Sequence, residues 1–237
     1  MPSAWLILPT YNEAQNLEQM VEAVLPRLAE SGYTPTILVV DDASPDGTGQ
    51  IADRLAAERP EVRVLHRIRK DGLGRAYLDG FAAALEGGAD LILQMDCDFS
   101  HDPADVPRLI EASRAADLAL GSRYVPGGGV ENWALRRRIQ SRGGCAYARL
   151  ILGVPVRDLT GGFKCWRRAA LEAVDLDGVD AHGYGFQIEM TYRAVKAGLT
   201  VAEVPIFFRE RSEGKSKMDT WITLEAVWKV PALRLKA

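Results

Sequence analysis

Short apolar runs alternate with longer stretches of helical periodicity through the first half of this 237-residue chain, and few folds accept that pattern. Runs of strand length occur at Trp5–Leu8, Thr36–Val40, Val62–Leu65, Leu91–Met95 and Leu118–Leu120. Helical spacing fills Glu13 to Ala29, Gly47 to Glu58, Leu73 to Leu85 and Ala104 to Ala115. Strands joined by helices imply right-handed crossovers. The expected fold is therefore α/β, with a Rossmann-like, mostly parallel central sheet and helices on both faces. Asp46 and Asp102-Pro103 stand where helix caps belong. In such a sheet, ligands lie beyond the carboxyl ends of the strands.

The second half is less regular. Residues 124–132 (YVPGGGVEN) read as a glycine-rich loop, and 133–152 as a helix bearing Arg136, Arg137, Arg138, Arg142 and Arg149. A Gly161-Gly162 turn leads to a strand at Phe163–Trp166; a helix at 184–197 and a strand at Val201–Phe208 follow. Residues 209–219 are polar, basic and expected to be mobile. Thr220–Lys229 places Trp221, Leu224 and Trp228 on one side of a helix. The pattern divides the chain into a main unit, 1–219, and a C-terminal amphipathic segment, 220–237, suited to a membrane interface or to packing on the domain. No run approaches the ~20 apolar residues of a spanning helix, and no basic segment precedes Ala4–Leu8 as in a signal peptide.

Lys plus Arg total 29 and Asp plus Glu 32, a net charge of −3 that argues against a nucleic-acid binder. Cys97, Cys145 and Cys165 are too scattered for a disulfide framework or a zinc site, which points to a reducing cytoplasm.

Four strand ends carry unusual chemistry: Pro9-Thr10-Tyr11-Asn12-Glu13, Asp41-Asp42 with Ser44-Pro45-Asp46-Gly47-Thr48, Asp96-Cys97-Asp98 with Ser100 and His101, and Gly121-Ser122-Arg123. Two carboxylates flanking one residue repel unless a cation neutralises them. Mg²⁺ or Mn²⁺ would do so and keep positions open for phosphate oxygens. A solvated turn of capping aspartates gives the same short pattern. His101 fits a structural hydrogen bond within its turn better than the metal shell.

Together, PTYNE, DDASPDGT and the DxD resemble the inverting family 2 glycosyltransferases of the GT-A fold. MDCDFSHDP, GSRYVPGGGV, LRRRIQSRG, DLTGGFKCWRR, GYGFQIEM and VPIFFRERSEGKSKM are similar to the dolichol-phosphate mannose synthase, or polyprenol monophosphomannose synthase, subgroup. The resemblance runs from about residue 4 to 220 and makes 1–219 a GT-A catalytic domain. It implies transfer of mannose from GDP-mannose to polyprenyl phosphate with inversion, aided by Mg²⁺ or Mn²⁺. Pro9, Tyr11, Glu13, Val40 and Asp42 would hold the nucleotide. Asp96, Cys97 and Asp98 would surround the diphosphate, with Asp98 a metal ligand and Asp96 and Ser100 beside the ion. Ser100 stands where relatives carry a metal-binding Gln, and Cys97 where alanine is commoner. Arg123, Arg211 and Lys217 would contact donor or acceptor phosphates, and Arg137 and Ser141 the lipid phosphate. The resemblance also implies peripheral association with the cytoplasmic face of a membrane, through 133–152 and the C-terminal helix, with or without an anchoring subunit.

A phosphate monoester has a second pKa near ~6, so the acceptor oxygen is already largely ionised at neutral pH. Such a reaction needs cations and positioning rather than a general base. A UDP-glucose donor with the same lipid acceptor is the nearest alternative. A polysaccharide-forming transferase would need a base, for which Glu189 is the candidate. A non-catalytic nucleotide-sugar binder fits the Asp96/Asp98 pair poorly. A dinucleotide-dependent oxidoreductase would need a glycine fingerprint after the first strand, where PTYNE stands instead.

Overall fold

The computed structural model describes residues 1–180, 185–210 and 228–235. The alternating half forms β1 (Ser3–Thr10), α1 (Leu17–Ala29), β2 (Thr34–Asp41), α2 (Thr48–Glu58), β3 (Val62–His66), α3 (Leu73–Glu86), β4 (Leu91–Gln94), α4 (Val106–Ala112) and β5 (Leu118–Ser122). Then come β6 (Gly129–Val130), α5 (Leu135–Leu152), β7 (Lys164–Arg167), α6 (Arg168–Ala173), α7 (Gly185–Lys196), β8 (Val201–Pro205) and β9 (Phe207–Phe208). A further helix spans 228–235.

Seven strands form one sheet in the order β3-β2-β1-β4-β7-β5-β8. All neighbours are parallel except β7, which runs antiparallel between β4 and β5. Alternation along β1 explains how the sheet is covered, because side chains in a strand point to opposite faces. Leu6 and Leu8 pack with Met20, Val24, Ala52 and Leu109 of α1, α2 and α4. Trp5 and Ile7 pack with Tyr77, Phe81, Ala170 and Phe186 of α3, α6 and α7. Gly80 lets α3 lie close on the sheet: a Cβ there would come 2.7 Å from Ile7 Cγ2. α5 packs over α7 through Ala148, Leu152, Ile188 and Tyr192, joined by Val230.

Several boundaries differ from the sequence reading. α1 begins at Leu17 rather than Glu13: Asn12 takes a left-handed backbone (φ 59°), and the N–H groups of Asn12, Glu13 and Ala14 tie this turn to side chains of the next strand-end loop. The stretch 104–115 divides into a 3-10 turn, Pro103–Asp105, and the short α4. Asp102 caps that turn as expected, accepting from Ala104 N at 2.9 Å. Asp46 accepts from Thr48 N at 3.1 Å, although Gly47 occupies the cap position. The run 201–208 is two strands: β8 joins the main sheet, and β9 pairs with β6 of the glycine-rich segment. Most of the boundary segment around 219 lies outside the described residues, as do Trp221 and Leu224. Trp228 is 79% exposed on the helix at 228–235.

Candidate active site

The carboxyl ends of β1, β2, β4 and β5 open onto one cleft of about 380 Å³. Pro9, Tyr11, Glu13, Asp42, Asp96, Cys97, Asp98, Arg123 and Arg137 all line it. The sheet order makes this possible, since β2, β1 and β4 are direct neighbours.

The first two loops are laced together. Asn12 N donates to Ser44 Oγ (3.1 Å), Glu13 N to Thr48 Oγ1 (3.0 Å) and Ala14 N to Asp46 Oδ2 (3.1 Å). Asp41 accepts from Ser44 Oγ at 2.5 Å and Ser44 N at 3.2 Å within its own loop, and from Thr10 Oγ1 of β1 at 3.4 Å. Asp42 pairs with Arg67, which is itself held by Asp79 at 2.7 Å. Lys70 Nζ lies 3.7 Å from the centroid of the Tyr11 ring, a cation–π contact at the cleft wall. The Val40 side chain is fully buried in the core; its carbonyl accepts a long bond from Thr10 Oγ1, 3.4 Å.

The DxD turn folds on itself. Ser100 N donates to Asp98 Oδ1 at 3.0 Å, and Tyr77 OH to Asp96 Oδ1 at 3.3 Å. Burial, reinforced by Asp96, holds the Tyr77 hydroxyl well above its ordinary pKa, so it acts as a donor. The Cys97 side chain packs into the core and burial keeps its thiol protonated. Ser100 Oγ is buried and has no hydrogen-bond partner. Among the described residues, no three His, Cys, Asp or Glu side chains gather into a metal cage. The donor set here is instead two carboxylates and an orphaned hydroxyl on one turn, all hard oxygens. That set fits a hard divalent ion that takes its remaining ligands from phosphate and water.

The His101 ring packs against Phe163 and Phe208, with centroids 5.2 and 5.1 Å away. Its Nδ1 is buried without a partner, so ring packing replaces the expected hydrogen bond in the turn. Burial lowers its pKa and favours the neutral imidazole.

On the other wall, Arg123 grips Asp158 through Nε (2.7 Å) and Nη2 (2.7 Å), and Thr160 Oγ1 accepts from Nη2 at 2.6 Å. Asp158 is turned into place by Glu203 of β8, which accepts from the backbone N–H groups of Arg157 and Asp158 at 2.9 and 3.0 Å. Burial opposes both charges, yet each partner outweighs it: Arg123 is raised and Asp158 lowered from their ordinary values. Arg137 stacks 4.0 Å over Trp133 and donates to Glu210 at 2.6 Å. Ser141, one turn along α5, accepts from Tyr124 OH at 2.7 Å and does not line the cleft. Arg211 and Lys217 lie outside the described residues.

The model for glycosyl transferase family 2 matches residues 5–175, most of the chain. The protein belongs to glycosyl transferase family 2. It is 49% identical to an undecaprenyl-phosphate mannosyltransferase from Micrococcus luteus, over 98% of this chain and 93% of the relative. Identity is also 49% to a polyprenol monophosphomannose synthase from Mycolicibacterium smegmatis, over 95% of this chain and 84% of the relative. Among solved structures, glucosyl-3-phosphoglycerate synthase from Mycobacterium tuberculosis, in complex with Mn²⁺, UDP and phosphoglyceric acid, superposes with a TM-score of 0.72. Identity there is 19%, covering 98% of this chain and 78% of that one, and the likeness shows the shared GT-A fold.

In this family 2 transferase Glu189 is no base for the cleft. It is buried, bound to Arg193 at 2.8 Å and accepts from Asp180 N at 3.1 Å. It borders a separate cavity of about 170 Å³. Sequence reasoning missed Asp158, Thr160, Lys70, Arg67 and Gln187. DLTGGF and GFQIEM were visible as motifs, but an aspartate among loop residues gives no sign that it will be wholly buried beneath an arginine.

Proposed function

We propose that this family 2 transferase moves mannose from GDP-mannose to a polyprenyl phosphate, inverting the anomeric centre. The carrying observation is that Asp96 and Asp98 share one cleft with Arg123 and Arg137. One wall suits a nucleotide diphosphate with its cation; the other offers guanidinium groups that bind a phosphate monoester. The names of the relatives at 49% identity point to the same lipid acceptor and the same sugar.

Tyr11 gives the guanine an aromatic face, Asp42 and Glu13 accept from base or ribose, and Pro9 and the Val40 backbone shape the floor. Cys97 meets the diphosphate through its backbone, since its side chain points into the core. A Mg²⁺ or Mn²⁺ ion held by Asp98, with Asp96 and Ser100 at its edge, would neutralise charge gathering on the leaving diphosphate. In this reading Arg137 and Arg123 take the lipid phosphate, Ser141 acts from outside the cleft lining through Tyr124, and Arg211 and Lys217 complete the phosphate contacts. The ionised acceptor oxygen attacks C1 of mannose as the bond to the diphosphate breaks, and GDP leaves with the electron pair. No proton has to be removed, which accords with the placement of Glu189 outside the cleft. The work of these residues is to bring two anions into line.

No helix among the described residues is long and apolar enough to cross a membrane. On α5, Leu135, Ile139 and Leu150 are 71%, 65% and 79% exposed, beside the exposed Arg136, Arg138 and Arg142. Apolar side chains ringed by arginines suit the headgroup layer of an anionic membrane, on its cytoplasmic face. An anchoring subunit could reinforce that contact.

The test is transfer of radiolabelled mannose from GDP-mannose to polyprenyl phosphate by purified protein with Mn²⁺ or Mg²⁺. UDP-glucose and excess chelator serve as parallel arms. Full activity in chelator, or faster transfer from UDP-glucose, would overturn the reading.

A further inference from the structure

The motifs around Lys164 and Gln187 play no part in the mechanism above, yet they meet at the cleft. Lys164 lies on β7, wholly buried in the middle of the sheet. Its Nζ donates to Gln187 Oε1 at 2.7 Å and to the Gln187 carbonyl at 3.0 Å. The Gln187 amide thus presents its oxygen to Lys164, whose Nζ donates to both Gln187 oxygens. The amide nitrogen is thereby turned the other way, towards the cleft that Gln187 lines. Nε2 is buried and no acceptor meets it. A buried donor left unmade costs stability, so its retention calls for a partner that arrives with the ligand.

Gly162 shows where that partner fits. A Cβ built there would stand 3.3 Å from Gln187 Nε2 and 3.9 Å from Asp96 Oδ2. The missing side chain leaves a notch between an amide donor and a carboxylate acceptor. A hydroxyl matches both walls, accepting from one and donating to the other. A phosphate oxygen has no proton for the carboxylate, and an apolar group satisfies neither.

We propose that the Gln187 amide, oriented by Lys164, donates to a hydroxyl of the transferred hexose, which donates in turn to Asp96 across Gly162. Gln187 is then a specificity-determining contact for the sugar, and Lys164 its positioning residue. The proposal rests on the nucleotide-sugar reading of the cleft and names the group that reads the sugar.

The experiment compares binding of GDP and GDP-mannose by calorimetry with Mn²⁺, together with GDP-mannose analogues lacking one sugar hydroxyl at a time. In the wild type, one analogue should bind ~10-fold more weakly than GDP-mannose. Gln187→Ala should lose about the same factor for GDP-mannose, keep its affinity for GDP and ignore removal of that hydroxyl. Gln187→Glu keeps an acceptor for Lys164 and so protects the fold while removing the donor; it should show the same selective loss. Lys164→Met should narrow the preference for GDP-mannose over GDP without changing GDP affinity, a readout that a purely structural lysine would not move. Equal loss for GDP and GDP-mannose in both Gln187 variants, or an unchanged ratio, overturns the proposal. If the wild type prefers UDP-glucose, the donor assignment fails, and the same ratio taken with UDP and UDP-glucose still decides the role of Gln187.

Discussion

The two walls of the cleft are built in different ways. On the nucleotide wall, Asp41, Asp42, Asp96 and Asp98 sit directly at strand ends, and hydrogen bonds donated by Ser44 and Ser100 and accepted by Asp46 and Thr48 hold their loops. On the cationic wall, Arg123 depends on Asp158, 35 residues away. Asp158 in turn depends on Glu203, a further 45 residues along the chain. The first wall is also laced across 32 to 35 residues, but its carboxylates stand at strand ends that the sheet itself places side by side. The second is a relay across β5, the segment before β7, and β8. Damage to the first should cost chemistry before stability, and damage to the second should cost stability first.

The largest expected effect tests the first half of that contrast. Asp98→Ala should lower transfer ~1000-fold or more, because the diphosphate loses its counter-charge, with urea unfolding nearly unchanged. A large fall in the unfolding midpoint instead would erase the distinction between the walls. Asp158→Asn probes the other half. It leaves the buried Arg123 without its counter-ion and should destabilise the protein by about 3–5 kcal/mol, read by urea unfolding. If stability holds while only lipid-phosphate affinity drops, the pair is not a structural relay. Arg137→Ala sharpens the comparison, since Arg137 lies on the cationic wall but is only partly buried. It should raise the KM for polyprenyl phosphate ~10-fold or more, with GDP-mannose binding intact.

Lys164 adds a pH signature to the relay side. Burial pushes its pKa down from 10.5 to about 7. Between those values the unfolded chain holds a proton that the folded chain lacks, so stability rises with pH from about 7 towards 10.5. Below about 7 the cost of the buried charge is fully present. Lys164→Met should flatten this rise in unfolding experiments run across that window; an unaltered slope would show that another group titrates. The smallest change is expected from Ser44→Ala, which removes one lacing bond of the nucleotide wall at a cost of ~1 kcal/mol, measurable as a modest shift in Tm.

Membership of the alternating strands and helices was legible because each run carries its own period. β1 and α3 show it clearly, with Trp5 and Ile7 facing one helical layer and Leu6 and Leu8 the other. The nucleotide wall was legible for the same reason: PTYNE, Asp42 and the DxD stand at strand ends, where any parallel sheet of this kind presents them. α1 was read too long because its first turn looks helical in composition. Only the tertiary structure ties that turn to the neighbouring loop, through Ser44, Asp46 and Thr48, with Asn12 in a left-handed backbone.

The sequence by itself determined the layers of the sheet, the acidic strand ends and the basic α5, since all three follow from short-range period and position. Only the tertiary structure decided that β7 runs antiparallel between β4 and β5, that Glu189 faces away from the cleft, and that Asp158 lies beneath Arg123. The physical reason is range. A period records which way a side chain points along its own element, whereas burial of a charge depends on a partner brought in from a distant part of the chain.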